Sequence, residues 1–333
     1  MTVLEAIQKS AGFLAKKGVE SSRLQAELLL AHLLKLPRMK LYLNFERVLT
    51  PAETDTLRES VKRRGQREPL QHITGSTSFC GFEIAVSRHA LVPRPETEML
   101  AELGWQFLQG RAELPASQGA QPRVPASALD FGTGTGCIAI ALAAKCPQTQ
   151  IVATDVSTDA LTLAKENAAH NNIAGRIEFL EGDGFASLRG AAELRHLAHE
   201  FANTNTREGR PHPFDLVISN PPYIPSAEIA TLEPEVRDFD PRTALDGGAD
   251  GLDFYRRLAA EAKPFLKPDG KIMLEFGDGQ AEAIKNIFEN EKWVVEAVKE
   301  DYSQRARILV AKSSSSSSQS SSRTKDEDED EQG

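Results

Sequence analysis

The chain has 333 residues, 40% of them hydrophobic and 26% charged, enough to bury a full core in about two domains. The net charge is −9, of which a terminal Asp/Glu cluster supplies a large part, and an acidic body gains little from counterion release on nucleic acid. No apolar run approaches the ~20 residues of a membrane span, and the first residues mix acid and amide side chains into their apolar ones, unlike a secretory signal, so the cytoplasm is the expected compartment.

Residues 1 to 75 read as a helical module. Val3, Leu4, Ile7, Ala11 and Leu14 recur at helical spacing, with Gly18 as a stop. Ser21 or Ser22 is the expected cap of a second helix carrying Leu24, Leu28, Leu29 and Leu33, and Pro37 follows it. Thr50-Pro51-Ala52-Glu53 is a capping box with proline at the first helical position, opening a helix that runs to Gly65. Its end holds Lys62, Arg63, Arg64 and Arg67, which read either as a solvated helix end or as a docking patch for an acidic partner. Residues 76 to 93 alternate as a β-hairpin, through Phe79, Phe82, Ile84 and Val86 and then Ala90, Leu91 and Val92. Pro115 to Ser127 reads as a loop.

From residue 94 to about 312 lies the expected catalytic domain. Strands are expected at Ala128–Phe131, Ile151–Asp155, Arg176–Leu180, Phe214–Ser219, Lys271–Phe276, Val294–Val298 and Ala306–Val310. Helices fit at Cys137–Lys145, Thr158–His170, Phe254–Phe265 and Gln280–Glu289. That alternation predicts an α/β fold with a doubly wound, mostly parallel sheet whose last strands pair antiparallel. A polar insertion is expected over 187 to 213, and the Ser-rich, acidic tail over 313 to 333 lacks the apolar area to fold. The three cysteines, Cys80, Cys137 and Cys146, show no Cys-x-x-Cys spacing and read as free thiols rather than a disulfide or zinc set, so no metal is expected.

Two motifs carry the chemistry. Asp130-Phe131-Gly132-Thr133-Gly134-Thr135-Gly136 sits between an expected strand and helix, where glycines let the backbone turn sharply beside a ligand. The spacing Gly-x-Gly-x-Gly differs from the dinucleotide fingerprint, with Cys137 at its last glycine position, and this favours S-adenosylmethionine over NAD. Asp155, ending the second strand, suits ribose hydroxyls. Asp183, followed by Gly184, suits the adenine amino group or is a surface turn residue, and Asp130 faces the methionine ammonium directly or through water.

Asn220-Pro221-Pro222-Tyr223 ends the apolar run from Phe214. In an open parallel sheet, ligands bind at the carboxyl ends of the strands flanking the switch point, so the two motifs should face each other. A planar nitrogen is a poor nucleophile whose hydrogens grow acidic as it attacks a methyl group, and acceptors aimed at those hydrogens favour the transition state. Asn220 offers its side-chain oxygen and Pro221 its carbonyl. The paired prolines hold the backbone extended, and Tyr223 packs on the flat substrate group.

With these motifs the chain resembles the HemK/PrmC-type methyltransferases, which modify the glutamine of the Gly-Gly-Gln motif in peptide chain release factors. The resemblance runs to about Lys312 and includes Gln71-His72-Ile73-Thr74-Gly75, Phe79-Cys80-Gly81, Leu91-Val92-Pro93-Arg94-Pro95-Glu96-Thr97-Glu98 and Leu274-Glu275-Phe276-Gly277. It implies a class I S-adenosylmethionine-dependent methyltransferase fold with a small N-terminal helical domain that grips the release factor. Asp130, Gly132, Thr133, Gly134, Thr135, Gly136, Asp155, Asp183, Gly184 and Asn220 are the implied cofactor residues. Asn220 and Pro221 would orient the glutamine amide within the Asn220–Tyr223 loop, with Tyr223 beside it. Arg94 and Glu96 would shape the pocket rim or form an ion pair stapling the hairpin to the core. Gly184 stands where relatives often carry a larger apolar residue, so adenine would lean on Phe185 or Ile218 instead. A nucleic-acid adenine or guanine N-methyltransferase with the same loop is the alternative, and a non-catalytic cofactor-binding module a third reading. Nothing in the sequence demands more than a monomer.

Overall fold

The computed structural model describes residues 1–113, 125–190 and 214–313. Most of the expected loop over 115–127, most of the insertion over 187–213, and the tail from 314 lie outside the described residues.

The chain opens with helices α1 (Val3–Lys16), α2 (Ser22–Leu34), α3 (Arg38–Leu41), α4 (Pro51–Gly65) and α5 (Leu70–Thr74). They bury a core of their own, with Ile7, Leu14, Leu29, Leu30 and Leu41 each at most 2% exposed. The Thr50/Glu53 capping box forms, each side chain meeting the other's backbone N–H. Neither candidate serine caps α2: Ser21 sits at the N-cap in a left-handed conformation (φ +47°) and makes no side-chain cap bond.

The hairpin is shorter than its alternation suggested. Strands β1 (Ser76–Phe79) and β2 (Phe82–Ala85) pair around Cys80 and Gly81, both at positive φ. On the outer edge of the second strand Asn167 accepts from the Ala85 N–H (2.8 Å) and donates to the Ala85 carbonyl (3.0 Å), which ties the hairpin to the later helix Thr158–His170. The chain then leads into α6 (Pro95–Glu113), a helix the sequence reading did not assign. Proline opens it and Glu96 and Glu98 lie in its first turn, while Leu100 and Leu108 are fully buried.

Seven strands form the main sheet: β3 (Ser127–Phe131), β4 (Gln150–Asp155), β5 (Ile177–Glu181), β6 (Phe214–Ser219), β7 (Leu266–Glu275), β8 (Trp293–Glu300) and β9 (Ala306–Ser313). Their order is β5-β4-β3-β6-β7-β9-β8, parallel except for the pairs made by β9. The chain winds outward from β3 to β5 and returns to β6 on the other side of β3, so the switch point lies between β3 and β6. Helices α7 (Cys137–Lys145) and α8 (Thr158–His170) take the ranges expected from their apolar periodicity. The expected helix Phe254–Phe265 breaks at Ala262, because Pro264 cannot continue it, into Asp253–Glu261 and a 3-10 turn at Lys263–Phe265. All three cysteines are free thiols, Cys137 and Cys146 buried and Cys80 half-buried.

At the basic end of α4 Lys62 stays exposed, while Arg63, Arg64 and Arg67 pair with acids of the same chain. Arg64 is 5% exposed and donates to Gln25, to the Glu68 carbonyl and to Glu235 (2.7 Å). Arg67 binds Glu233 and Glu235, so the acidic partner is the N-terminal end of a short helix, Pro234–Arg237, of the same chain. Removing one member of a buried pair leaves a stranded charge. Arg64→Ala should therefore lower the unfolding free energy in urea by about 3 kcal/mol; a loss below about 0.5 kcal/mol would mean this contact does not hold the helices to the sheet.

Candidate active site

The carboxyl ends of β3 and β6 open into one cleft. After β3 the chain turns through Gly132, Gly134 and Gly136, all at positive φ (71°, 55° and 81°), a run that residues with a Cβ adopt poorly. The Gly132 and Thr133 N–H groups donate to the Thr154 carbonyl (2.9 Å each), which ties the loop to β4. Asp155 accepts from the Gly134 N–H and the Ser157 N–H (2.9 Å each) while standing on the cleft wall. These contacts fix a carboxylate beside a glycine turn, the arrangement a ribose diol requires. Val156, 64% exposed, puts an apolar surface next to it.

On the facing side, Asn220, Pro221 and Pro222 form the wall. The Asn220 Nδ2 donates to Thr97 Oγ1 (3.0 Å), and its Oδ1 is buried with no partner. A buried carbonyl oxygen left unpaired costs about 1–3 kcal/mol, which makes this one a candidate acceptor for an incoming donor. The loop behind it is pinned: Gln280 donates to the Tyr223 carbonyl (2.9 Å), and Ile224 and Gly247 exchange backbone bonds with Leu245 and Ile224.

Residues 5–75 match the family model described as the PrmC N-terminal domain, and residues 119–194 match the methyltransferase small domain. A release factor glutamine methyltransferase of Geobacter sulfurreducens is 40% identical over 86% of this chain and 88% of its own. Another, of Chlorobaculum tepidum, is 38% identical over 92% of this chain and 95% of its own. A solved methyltransferase structure from Pyrococcus furiosus is similar at 20% identity over 70% of this chain and 90% of that one, with a TM-score of 0.43. The chain belongs to the release factor glutamine methyltransferase family.

The sites that the family resemblance implied divide into two groups. Gly132, Thr133, Gly134, Thr135, Asp155, Asp183, Gly184, Asn220, Pro221, Pro222 and Arg94 all reach the one cleft. Four do not stand on its wall. Asp130 is fully enclosed: its Oδ2 accepts from Thr133 Oγ1 (2.6 Å) and the Ala139 N–H (3.1 Å), so it braces the glycine loop and the first turn of α7 from behind. Gly136 lies beneath the loop against Ala164. Tyr223 is partly buried against the second core cluster, where burial, helped by nearby Glu275, pushes its hydroxyl up to about 12. Glu96 is exposed at the start of α6, and the ion pair to Arg94 comes instead from buried Asp240 (2.7 Å).

Adenine has no access to Phe185 or Ile218, both fully buried in the sheet's cores; the exposed apolar wall is Val156. Gly184 is small for a local reason, since a Cβ there would lie 2.7 Å from the Phe131 ring. Asp183 stands on the wall but pairs with Arg257. Val156 and Thr97 carried no assigned role in the sequence, although Thr97 lies inside the family's Pro-Glu-Thr-Glu run.

Burial raises the Asp130 carboxyl from 3.8 to about 7. Between those values the folded protein holds a proton that the unfolded chain has lost, so this group lowers stability as pH rises through the window and is neutral below it. Measured by urea unfolding at pH 5 and pH 7.5, ligand-free wild type should lose more stability on going up than Asp130→Asn, at up to about 1.4 kcal/mol per pH unit. Equal slopes in the two proteins would contradict an enclosed, titrating Asp130.

Proposed function

We propose that this protein transfers a methyl group from S-adenosylmethionine to the side-chain amide nitrogen of the glutamine in the Gly-Gly-Gln motif of peptide chain release factors. Family membership supports the reaction class, and the unpartnered Asn220 Oδ1 on the cleft wall is the observation that carries it. An acceptor with a vacant lone pair beside a double-proline bend suits a ligand that donates a hydrogen, as the NH2 of a glutamine amide does.

The residues present fit the cofactor. The Gly132–Gly136 turn would cradle its amino-acid end, Asp155 its ribose hydroxyls and Val156 one face of its adenine, with Asp183 at the edge. When bound, S-adenosylmethionine supplies an electrophilic methyl group on a sulfonium. Asn220 Oδ1 would accept one hydrogen of the glutamine NH2 and the Pro221 carbonyl the other, turning the nitrogen lone pair toward the glycine loop. Both acceptors strengthen as the nitrogen becomes positive, and both cost no reorganisation because the loop is already pinned. The nitrogen gains the methyl and releases one proton to solvent, so no early general base is needed. Tyr223, packed below the loop, supports its shape rather than meeting the substrate.

We assign residues 1–75 to capture of the release factor, 76–93 to a hairpin connector, 94–312 to catalysis and 313–333 to a tail without a catalytic part. The acidic body disfavours nucleic acid as the substrate. No helix among the described residues is long and apolar enough to cross a membrane, and an enzyme acting on translation factors belongs in the cytoplasm. A monomer would suffice.

Incubated with purified release factor and labelled cofactor, the protein should place one methyl group on the Gly-Gly-Gln glutamine, read by mass spectrometry of the peptide. Asn220→Ala should lower kcat by about 100-fold or more while cofactor affinity changes only a few-fold. Labelled RNA or DNA with an unmodified release factor would reverse the substrate assignment.

A further inference from the structure

The chain leaves the Asn220 loop at Ile224 and comes back beside it at Leu245. The Ile224 N–H donates to the Leu245 carbonyl (3.0 Å) and the Gly247 N–H to the Ile224 carbonyl (2.9 Å), so residues 225–244 form a closed excursion. That excursion has little with which to hold its own shape. Its helical turns, Ile229–Thr231, Pro234–Arg237 and Arg242–Ala244, are three or four residues long, far below the length at which a helix is stable alone. Ile229 and Asp240 are its only buried residues, and among the described residues no hydrophobic core cluster includes any part of it. A segment with so little apolar burial sits where its polar contacts hold it. Yet Pro241, Thr243 and Ala244, at its end, stand on the cleft wall.

Three clasps fix the excursion, and all of them come from residues 64–94, ahead of the main sheet. Arg67 donates to Glu233 (2.5 Å) and to Glu235 (2.6 Å), and Arg64 also donates to Glu235 (2.7 Å). Arg67 makes these bonds from a left-handed backbone position just past α4 (φ +69°), uncommon for a residue with a long side chain. Next, Phe239 lies under the Arg88 guanidinium (4.6 Å to the ring centre), with the His72 ring of α5 at 6.3 Å. Last, the Asp240 side chain, 1% exposed, accepts from the Val92 N–H (3.3 Å) and from Arg94 (2.7 Å). Arg94 is itself on the cleft wall, so this clasp joins one stretch of wall to another. The cofactor side is built separately: the glycine turn is tied to β4 through Thr154 and Asp155.

We propose that Arg67 and Asp240 are positioning residues for methyl transfer: by clasping residues 225–244 they set the substrate half of the cleft, so the helical domain shapes the site as well as capturing the release factor. The inference rests on the methyltransferase reading above. Arg67 is not on the cleft wall and acts only through Glu233 and Glu235. Asp240 acts on the residue that follows it, Pro241, and on Arg94 across from it. Charge-assisted bonds of this kind are the strong ones, and removing one partner leaves the other stranded. A shift of about 1 Å in a wall that holds a reacting group costs up to about 100-fold in rate. A helix that only captures the factor changes KM; a wall that holds the glutamine changes kcat.

The test is steady-state methylation of whole release factor by the full-length enzyme, with cofactor affinity measured by calorimetry at a temperature well below unfolding. Arg67→Ala should lower kcat at saturating release factor by about 10-fold, with the cofactor Kd within about threefold of wild type. Arg67→Lys keeps the charge and loses the planar fork, so its kcat should lie between those of the alanine variant and wild type. Asp240→Asn keeps an acceptor for the Val92 N–H and removes the charge that faces Arg94; it too should lower kcat by about 10-fold at an unchanged Kd. A raised KM with kcat within about threefold in Arg67→Ala, an Arg67→Lys no faster than Arg67→Ala, or an unaffected Asp240→Asn would each overturn the proposal. Should one of Arg67→Ala and Asp240→Asn fail to bind cofactor, the other decides by the same limits. Loss of cofactor binding in both would overturn it, because the excursion would then support the whole cleft and not its substrate half. Wild-type protein that leaves the release factor unmodified would overturn the functional reading and this inference with it, which separates that failure from an active wild type with unaffected variants.

Discussion

The parallel pairing of β3 with β6 is the constraint on which the site depends. Ala128, Leu129 and Asp130 align with Leu216, Val217 and Ile218, which puts the glycine turn and the Asn220 loop at the same rim of the sheet. The strands are wholly buried, so a shift of one residue would turn apolar side chains such as Leu129 and Val217 to the opposite face and register is strongly fixed. Ser219 closes the joint by donating to the Phe131 carbonyl (2.6 Å), which ties the last residue of β6 to the last of β3. Neither loop needs to find the other; the sheet brings both to one cleft before any ligand arrives.

The polar groups around that cleft are built against the ordinary rules of a core. Asp130 and Glu275 are buried carboxyls, both pushed up to about 7 by burial. Each keeps one oxygen without a partner, as does Asn220. Half-satisfied groups of this kind destabilise a fold, and proteins retain them where function requires it. Here the three have separate parts. Asp130 stiffens the glycine turn from behind, Asn220 stands on the cleft wall with its Nδ2 on Thr97, and Glu275 closes the end of β7, where its carbonyl accepts from the Tyr255 hydroxyl. The ion pairs at the other end of the molecule are different in kind. Arg64 and Arg67 meet Glu233 and Glu235 on the segment after the Asn220 loop, so the N-terminal helices and the cleft share a connecting element.

Much of this was legible in the sequence because the decisive patterns are local. Helices α7 and α8, strand β6 and the α4 capping box follow from apolar runs and caps that lie within one element. The facing of the two motifs followed from strand alternation and the switch-point rule. What could not be read was decided by contacts between distant residues. The hairpin is held to α8 by Asn167, 82 positions away, which bonds both backbone groups of Ala85. The sequence shows four basic residues at the end of α4 but not Glu235, 168 and 171 positions on from the Arg67 and Arg64 that it holds. Glycine-loop neighbours that read as ligand contacts divide by depth: Asp130 faces inward and Asp155 outward, a distinction one period-2 alternation cannot make across two strands of different length. Thr97 escaped notice because a threonine in a first helical turn ordinarily reads as capping chemistry.

The account stands or falls on where the glutamine nitrogen sits. A crystal structure with the demethylated cofactor product and a Gly-Gly-Gln peptide should show that nitrogen about 3 Å from Asn220 Oδ1, with Asn220 Nδ2 still on Thr97 and the nucleoside against Asp155 and Val156. A glutamine bound with its nitrogen on another acceptor, or a nucleoside lodged away from the Pro221-Pro222 bend, would contradict it.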